Sequence, residues 1–162
     1  MKGYIKKLSL KNFINQPENS GNMKVWVHFV FSLVIGIILY PLFGWKALFV
    51  LAGGVLIDVD HYLWYAYRYR KMDFFEAYRY YLKNLAKNDF MADIGILLVF
   101  HTIEFLAFMA VLSFYDSAFF LFTVGLASHY MLDVIFLYFV AKRRIADYSI
   151  VHWVLKNKIQ KV

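Results

Sequence analysis

Residues 24–43 read KVWVHFVFSLVIGIILYPLF and residues 45–67 read WKALFVLAGGVLIDVDHYLWYAY, with Gly44 between them. Each stretch reaches the roughly 20 mostly apolar residues that a helix needs to cross the hydrocarbon core of a bilayer. Pro41 and Gly44 indicate a turn between the two, because proline interrupts a helix and glycine favours turn conformations. The stretch therefore predicts a hairpin of two transmembrane helices.

Two further segments predict the same architecture for the second half of the chain. Residues 90–114 and 117–141 are again long and apolar, and Tyr115 and Asp116 mark the turn between them. The chain of 162 residues is 62% hydrophobic and 21% aromatic, whereas soluble domains are about 45–50% apolar. We therefore expect an all-α, polytopic membrane protein that forms a single domain with four transmembrane helices.

The segments outside these four helices are polar or amphipathic. Residues 1–23 are polar and basic and lack the apolar core and cleavage site of a signal peptide. Residues 68–89 and 142–162 place aromatic and apolar residues at helical spacing between basic ones. We expect these two segments to form amphipathic helices that lie in the membrane interface.

The distribution of basic residues predicts the orientation of the chain. Of the 18 Lys and Arg residues, 17 lie up to residue 24, in 68–89 or in 142–162, and only Lys46 lies in an opposite connection. Because basic loops stay in the cytoplasm, both termini and the middle connection should face the cytoplasmic side of the plasma (inner) membrane. The net charge of +7 then indicates lipid head groups as partners, not nucleic acid. The residues expected to bind such head groups are Arg68, Arg70, Arg79 and Lys83. The oligomeric state is left open.

Histidines and aspartates lie inside the apolar segments, where ionisable groups are costly. An ionisable side chain at the centre of a transmembrane helix costs about 2.5–3.5 kcal/mol on insertion scales. A chain that carries several of them is expected to use them together, and imidazoles with carboxylates are metal ligands. The candidate metal ligands are His28, Asp58, Asp60, His61, His101, His129 and Asp133.

The spacing of these residues predicts which of them share a helix face. His129 and Asp133 are four positions apart and should lie on one face. The same argument pairs His101 with Glu104, three positions later, and Asp58 with His61. Asp58 and Asp60 are two positions apart, which puts them on nearly opposite sides of a regular helix. Either one of these aspartates has a structural partner, or the helix is irregular there.

The types of candidate ligand limit which metals the site could bind. The chain has no cysteine, so thiolate sites are excluded, and imidazole with carboxylate suits zinc, with manganese or iron as alternatives. The number of candidate ligands allows one or two ions. A metal of this kind activates a bound water and polarises a phosphoryl or acyl oxygen. Glu104 is the first choice as catalytic base, and Asp58 or Asp60 is the alternative.

Two motifs resemble those of a bacterial and archaeal family of membrane-bound metal-dependent hydrolases, which are distantly similar to zinc-dependent phospholipase C. Residues 54–61 read GVLIDVDH and residues 129–133 read HYMLD, and the similarity extends over about residues 24–141. The chain departs from the family pattern at Ile57, where a proline is common. Residues 101–104, HTIE, replace a histidine-rich segment of the family.

The resemblance implies a metal-dependent hydrolase of the inner membrane. With the ligand set, it leads us to expect hydrolysis of a lipid or lipid-linked phosphoester or ester, reached from the cytoplasmic side. A divalent-cation or proton-coupled transporter would use the same buried residues as its binding site. A non-catalytic membrane scaffold would use them as ion pairs between helices. The sequence leaves these two alternatives open.

Overall fold

A computed structural model describes residues 25–84, 97–140 and 149–159, and within those ranges all regular structure is helical. The all-α fold class is therefore confirmed for this part of the chain. The α-helices are α1 (Val25–Phe43), α2 (Leu48–Val55), α3 (Val59–Tyr69), α4 (Phe74–Asn84), α5 (Ile103–Leu112), α6 (Ser117–Ile135) and α7 (Ile150–Ile159). Short 3-10 turns occupy Gly44–Ala47, Leu56–Asp58 and Val99–His101, and a π-helical turn, Phe136–Val140, follows α6.

Among the described residues, two helical segments are long and apolar enough to cross a membrane, Val25–Tyr69 and Ser117–Ile135. The first of them reverses direction at Gly44, whose φ of 56° lies in the left-handed region that glycine adopts without strain. Helices α1 and α2 therefore pack side by side in opposite directions, as the sequence predicts for this hairpin.

The predicted third span, 90–114, is only partly described. Residues 90–96 lie outside the described residues, and the rest contains a 3-10 turn and then α5, a helix of ten residues. The described helix of this segment is therefore about half as long as the roughly 20 residues that a membrane crossing needs. The end of the predicted fourth span, residue 141, also lies outside the described residues.

Helices α2 and α6 touch through their backbones. A Cβ atom added to Gly53 would collide with the carbonyl oxygen of Phe122, and one added to Gly125 would collide with the carbonyl oxygen of Val50. Small residues permit such close approach between helices in an apolar environment, where packing replaces the hydrophobic effect. The glycines therefore fix the distance between α6, which carries His129, and α2, which leads into the turn that carries Asp58.

An ion pair ties the two short connections together at one end of the bundle. The ammonium of Lys46 lies 3.3 Å from a carboxylate oxygen of Asp116 and donates to the Ser117 hydroxyl at 2.9 Å. The carboxylate of Asp116 also accepts the backbone N–H of Ala118. That N–H and Lys46 hold the pKa of Asp116 below its usual value. Helices α2 and α6 both start at this end and run in the same direction, so their later residues meet at the other end.

Helix α4 folds back on α3 and buries part of the aromatic pattern of the middle connection. Ala77 and Tyr81 pack against Tyr65 of α3, whereas Phe74 and Phe75 are exposed. The predicted helix is present, but its apolar residues lie on two sides, one buried against α3 and one exposed. Tyr81 faces the protein, and the phenylalanines face outward as expected for an interfacial helix.

We predict that Gly125→Ala separates α2 from α6 and lowers the free energy of unfolding by about 1–3 kcal/mol, the usual cost of overpacking. Thermal unfolding in detergent, followed by tryptophan fluorescence, measures the loss. Gly36→Ala is the matched control, because its added Cβ would lie 3.4 Å from the nearest atom, the carbonyl oxygen of Ala47. Equal melting temperatures for the two variants would contradict the close contact.

Candidate metal centre

A break in helical phase brings both aspartates of the first motif to one place. The 3-10 turn Leu56–Asp58 separates α2 from α3, and Val55 before it leaves the helical region with φ −128° and ψ −44°. A 3-10 turn has about three residues per turn instead of 3.6, so it shifts the direction of the side chains that follow. Of the two alternatives left by the sequence, the irregular helix is the one present. Both Asp58 and Asp60 face the same histidines.

The centre of the site consists of three imidazoles and two carboxylates. Asp58 Oδ1 lies 3.4 Å from His101 Nε2 and 3.6 Å from His129 Nε2. Asp133 contributes both oxygens, one at 3.3 Å from His129 Nε2 and the other at 3.4 Å from His28 Nε2. The histidines are buried, while the two aspartates keep 24% and 22% of their side-chain surface exposed. The carboxylates therefore form the accessible side of the centre.

The other nitrogens of two of these imidazoles are held by acceptors. His101 Nδ1 lies 3.0 Å from Asp60 Oδ2, and His129 Nδ1 lies 2.8 Å from the carbonyl oxygen of Gly54. Because a carbonyl and a carboxylate only accept hydrogen bonds, both Nδ1 atoms must carry the proton and donate. In the neutral imidazole this leaves Nε2 with a free lone pair, which points into the centre.

The Nδ1 atoms of His101 and His129 lie at hydrogen-bond distance from their partners, whereas the Nε2 atoms of the buried histidines lie farther from the carboxylates. The contacts of Nδ1 atoms, at 2.8 and 3.0 Å, have hydrogen-bond length. The contacts of Nε2 atoms with carboxylates are 3.3–3.6 Å long, beyond the roughly 2.7–2.9 Å of a charge-assisted hydrogen bond. Ligands at about 2.0–2.2 Å from a tetrahedral metal are about 3.3–3.6 Å from one another. The Nε2 set thus has the spacing of metal ligands.

His61 and Asp60 extend the site on one side. His61 Nδ1 lies 3.1 Å from Asp60 Oδ1 and 3.7 Å from Asp58 Oδ1. The other oxygen of Asp60 also accepts the backbone N–H of Phe100 at 3.1 Å. Both oxygens of Asp60 are therefore engaged, which suits a residue that orients imidazoles better than a catalytic base.

Three overlapping groups in the described part of the chain could hold a metal ion, with all ligand atoms of a group within 4.8 Å of one another. They are His28, His129 and Asp133; Asp58, His101 and His129; and Asp60, His61 and His101. His129 belongs to two groups, and its ring stacks on that of His28 at a centroid distance of 3.8 Å. All seven ligands predicted from the sequence thus lie together.

Glu104 does not lie with them. Its carboxylate accepts the hydroxyl of Ser149 at 2.6 Å and the backbone N–H groups of Ile150 and Val151 at 3.1 and 3.3 Å, at the start of α7. The predicted shared face with His101 is wrong, because Thr102 between them is extended and begins a new helix. The structure therefore gives Glu104 a capping role instead of bringing it to the metal ligands as a base.

Tyr130 holds the turn that carries His101, a role that the sequence pattern does not predict. The hydroxyl of Tyr130 lies 2.7 Å from the carbonyl oxygen of Phe100 and 2.9 Å from that of Thr102, and it can donate to either. Its only signal in the sequence is a phenol next to His129 in an apolar helix.

The predicted head-group residues lie at and beyond the end of α3. Arg68 and Arg70 are exposed in or just after the last turn of that helix, and the guanidinium of Arg70 lies 5.4 Å from the centroid of the Tyr67 ring. Arg79 on α4 is also exposed and donates to the carbonyl oxygen of Phe75. The side chain of Lys83 lies outside what the structure describes. Lipid binding by these residues stays a prediction.

In comparisons with known proteins, no family model, no curated protein and no solved structure matches this chain.

We predict that Asp60→Asn weakens zinc binding by about 10–100-fold, the usual effect of removing the carboxylate that orients a ligating histidine. The asparagine can present its amide N–H to His101 Nδ1 and so favour the wrong tautomer. Competition with a chromogenic chelator measures the affinity. Glu104→Gln is the control, since it also replaces a carboxylate by an amide, but outside the ligand groups. Equal losses in the two variants would contradict this assignment.

Proposed function

We propose that this protein is a membrane-embedded, metal-dependent hydrolase that acts on a lipid or lipid-linked phosphoester or ester from the cytoplasmic side. The observation that carries the proposal is the division of contacts at His101 and His129. Each ring has one nitrogen fixed by a hydrogen bond and the other directed at carboxylates at ligand spacing. The His101 Nε2 atom is buried without a hydrogen-bond partner, which a metal would supply.

The membrane arrangement is part of the proposal. Four spans, at residues 24–43, 45–67, 90–114 and 117–141, would place both termini and the middle connection in the cytoplasm of a plasma-membrane protein. The Lys46–Asp116 ion pair supports this arrangement, because it joins the two predicted outer connections. The concentration of the other basic residues in the opposite segments supports it as well.

We propose zinc as the metal, with manganese or iron as alternatives and room for one or two ions. The ligands would be His28, His101 and His129 together with Asp58 or Asp133, and Asp60 would orient His101. A metal held there lowers the pKa of a bound water and polarises a phosphoryl or acyl oxygen. Burial of the imidazoles keeps bulk water away from one side of this centre, so a substrate would approach from the side of the carboxylates.

The proton of the attacking water needs an acceptor among the residues of the chain. Both oxygens of Asp60 are occupied by donors, and Glu104 caps α7. Asp58 and Asp133 are the partly exposed carboxylates of the centre. We therefore assign the role of general base to whichever of these two does not bind the metal; it would take the proton from the water and pass it to the leaving oxygen.

A lipid or lipid-linked substrate is proposed because the candidate metal centre lies among apolar helices and near exposed cations. The exposed cations at the end of α3 and on α4, Arg68, Arg70 and Arg79, could neutralise an anionic head group at the membrane surface. A substrate whose apolar part stays in the bilayer would then present its ester bond to a centre built into the helices. The two motifs at residues 54–61 and 129–133 support hydrolysis through their resemblance to membrane-bound hydrolases.

The apolar character of helices α1, α2 and α6 between the two ends of the bundle favours a hydrolase over a transporter. In the described helices α1, α2 and α6, no Asp, Glu, Lys or Arg lies between the metal ligands and the Lys46–Asp116 pair. Val50, Leu121 and Leu126 are fully buried there, beside the glycine contact. A conduction pathway is usually polar along its whole length.

We predict that the purified protein, reloaded with zinc or manganese in mild detergent, holds one or two ions per chain and that His129→Ala loses them. Loss is expected because His129 belongs to two of the three ligand groups. Elemental analysis measures the content. His152→Ala is the matched control, since His152 is exposed and outside the ligand groups. Absence of stoichiometric metal from the wild type would contradict the proposal.

We predict that the metal-loaded wild type hydrolyses a chromogenic phosphodiester in micelles and that Asp58→Asn lowers the rate at least about 100-fold, as expected for loss of a ligand or general base. Release of nitrophenol measures the rate. Metal-dependent cation flux into liposomes without any hydrolysis would favour the transporter instead.

A further inference from the structure

The described residues contain three buried side-chain polar atoms without a hydrogen-bond partner, and all three lie in or against the candidate metal centre. They are His28 Nδ1, His101 Nε2 and the hydroxyl of Tyr81. A metal would use His101 Nε2. The Tyr81 hydroxyl has no such explanation, because Tyr81 is in none of the ligand groups. A buried hydroxyl without a partner costs free energy, so a site that keeps one is suited to a ligand that supplies the acceptor.

Tyr81 is buried against His61, at the edge of the candidate metal centre. Only 6% of its surface is exposed, and its ring meets that of His61 edge-on at 4.9 Å. Trp64 and Tyr80 pack against the same ring at 6.3 and 5.5 Å. His61 in turn meets His101 at 4.7 Å. The phenol thus stands next to the group of ligands nearest to α4, in a position that packing fixes before any ligand arrives.

We propose that the Tyr81 hydroxyl donates a hydrogen bond to an anionic oxygen, phosphoryl or carboxyl, of the molecule that binds at the metal centre. The inference rests on the proposed function and adds a substrate-binding residue to it. Burial raises the pKa of Tyr81 above the usual value of a phenol, so its hydroxyl is protonated at neutral pH and can donate a hydrogen bond. The aspartates around the centre can only accept hydrogen bonds when ionised, so they cannot serve an anionic oxygen. Tyr81 supplies the donor that these groups lack.

A purely structural role for Tyr81 makes a different prediction. If the ring served only to pack against Tyr65 and Trp64, removing its hydroxyl would leave ligand binding unchanged. Tyr81→Phe keeps the ring and deletes only the unpartnered hydroxyl, so we expect the metal-free protein to be as stable as the wild type or slightly more stable. Loss of anion binding at unchanged stability would therefore mark a binding role.

The test uses cobalt(II) in place of zinc, because the visible absorption of cobalt changes when a ligand joins its coordination sphere. Wild type, Tyr81→Phe and Tyr78→Phe are loaded with cobalt in detergent, and inorganic phosphate is titrated. A second arm uses nanodiscs of phosphatidylcholine with and without phosphatidic acid. Tyr78→Phe is the matched control, since it deletes a more exposed phenol hydroxyl from the same helix.

We expect Tyr81→Phe to bind cobalt as the wild type does and to bind phosphate or phosphatidic acid about tenfold more weakly, the lower range for a hydrogen bond to a charged acceptor. Tyr78→Phe should match the wild type. The probe that is affected identifies the source of the anionic oxygen, free phosphate or a lipid head group. If the cobalt-loaded wild type and Tyr81→Phe respond equally to both probes, or neither responds, the role of Tyr81 is refuted while the metal centre stands. If the wild type binds no cobalt, the metal centre and the role of Tyr81 fail together.

Discussion

The backbone contact between α2 and α6 is the constraint on which the rest of the structure depends. Gly53 and Gly125 lie where any side chain would collide with the opposite helix, so the two helices are closer there than apolar side chains would permit. The carbonyl oxygen of Gly54 can therefore reach His129 Nδ1. The ion pair of Lys46 with Asp116 fixes the register at the far end of the same two helices. The proposed metal centre draws its residues from separate helices and would need this precision, because ligand distances tolerate only a few tenths of an ångström.

The helices, and the pairing of residues on regular helices, could be predicted from the sequence. The hairpin at Gly44 follows from apolar length and turn residues, and His129 and Asp133 meet because α6 is regular across both positions. In those places local propensity, hydrophobic pattern and tertiary packing agree. The grouping of the buried histidines and aspartates could also be predicted, since ionisable groups in apolar helices are costly and tend to be used together. Metal binding by them stays a prediction.

The direction of the side chains after each short irregular turn could not be predicted from the sequence. The 3-10 turn before Val59 turns Asp58 and Asp60 toward one cluster, and the extended Thr102 separates Glu104 from His101. Such turns depend on tertiary contacts, here including the hydrogen bond from Tyr130 to the carbonyl oxygens around His101. A helical wheel assumes a regular helix and therefore cannot show such turns. Thr102 was a usable signal, because threonine is a common helix N-cap and accepts the backbone N–H of Phe105.

The stacking of His28 on His129 has a consequence for how the protein assembles. His28 is buried in α1, and its Nε2 contacts Asp133 on α6, so the group of His28, His129 and Asp133 joins the first described helix to α6. That group exists only after helices separated by some hundred residues of chain have met. Metal capture would then stabilise the closed bundle against every partly assembled form, since a ligand that binds only the native state shifts the folding equilibrium toward it.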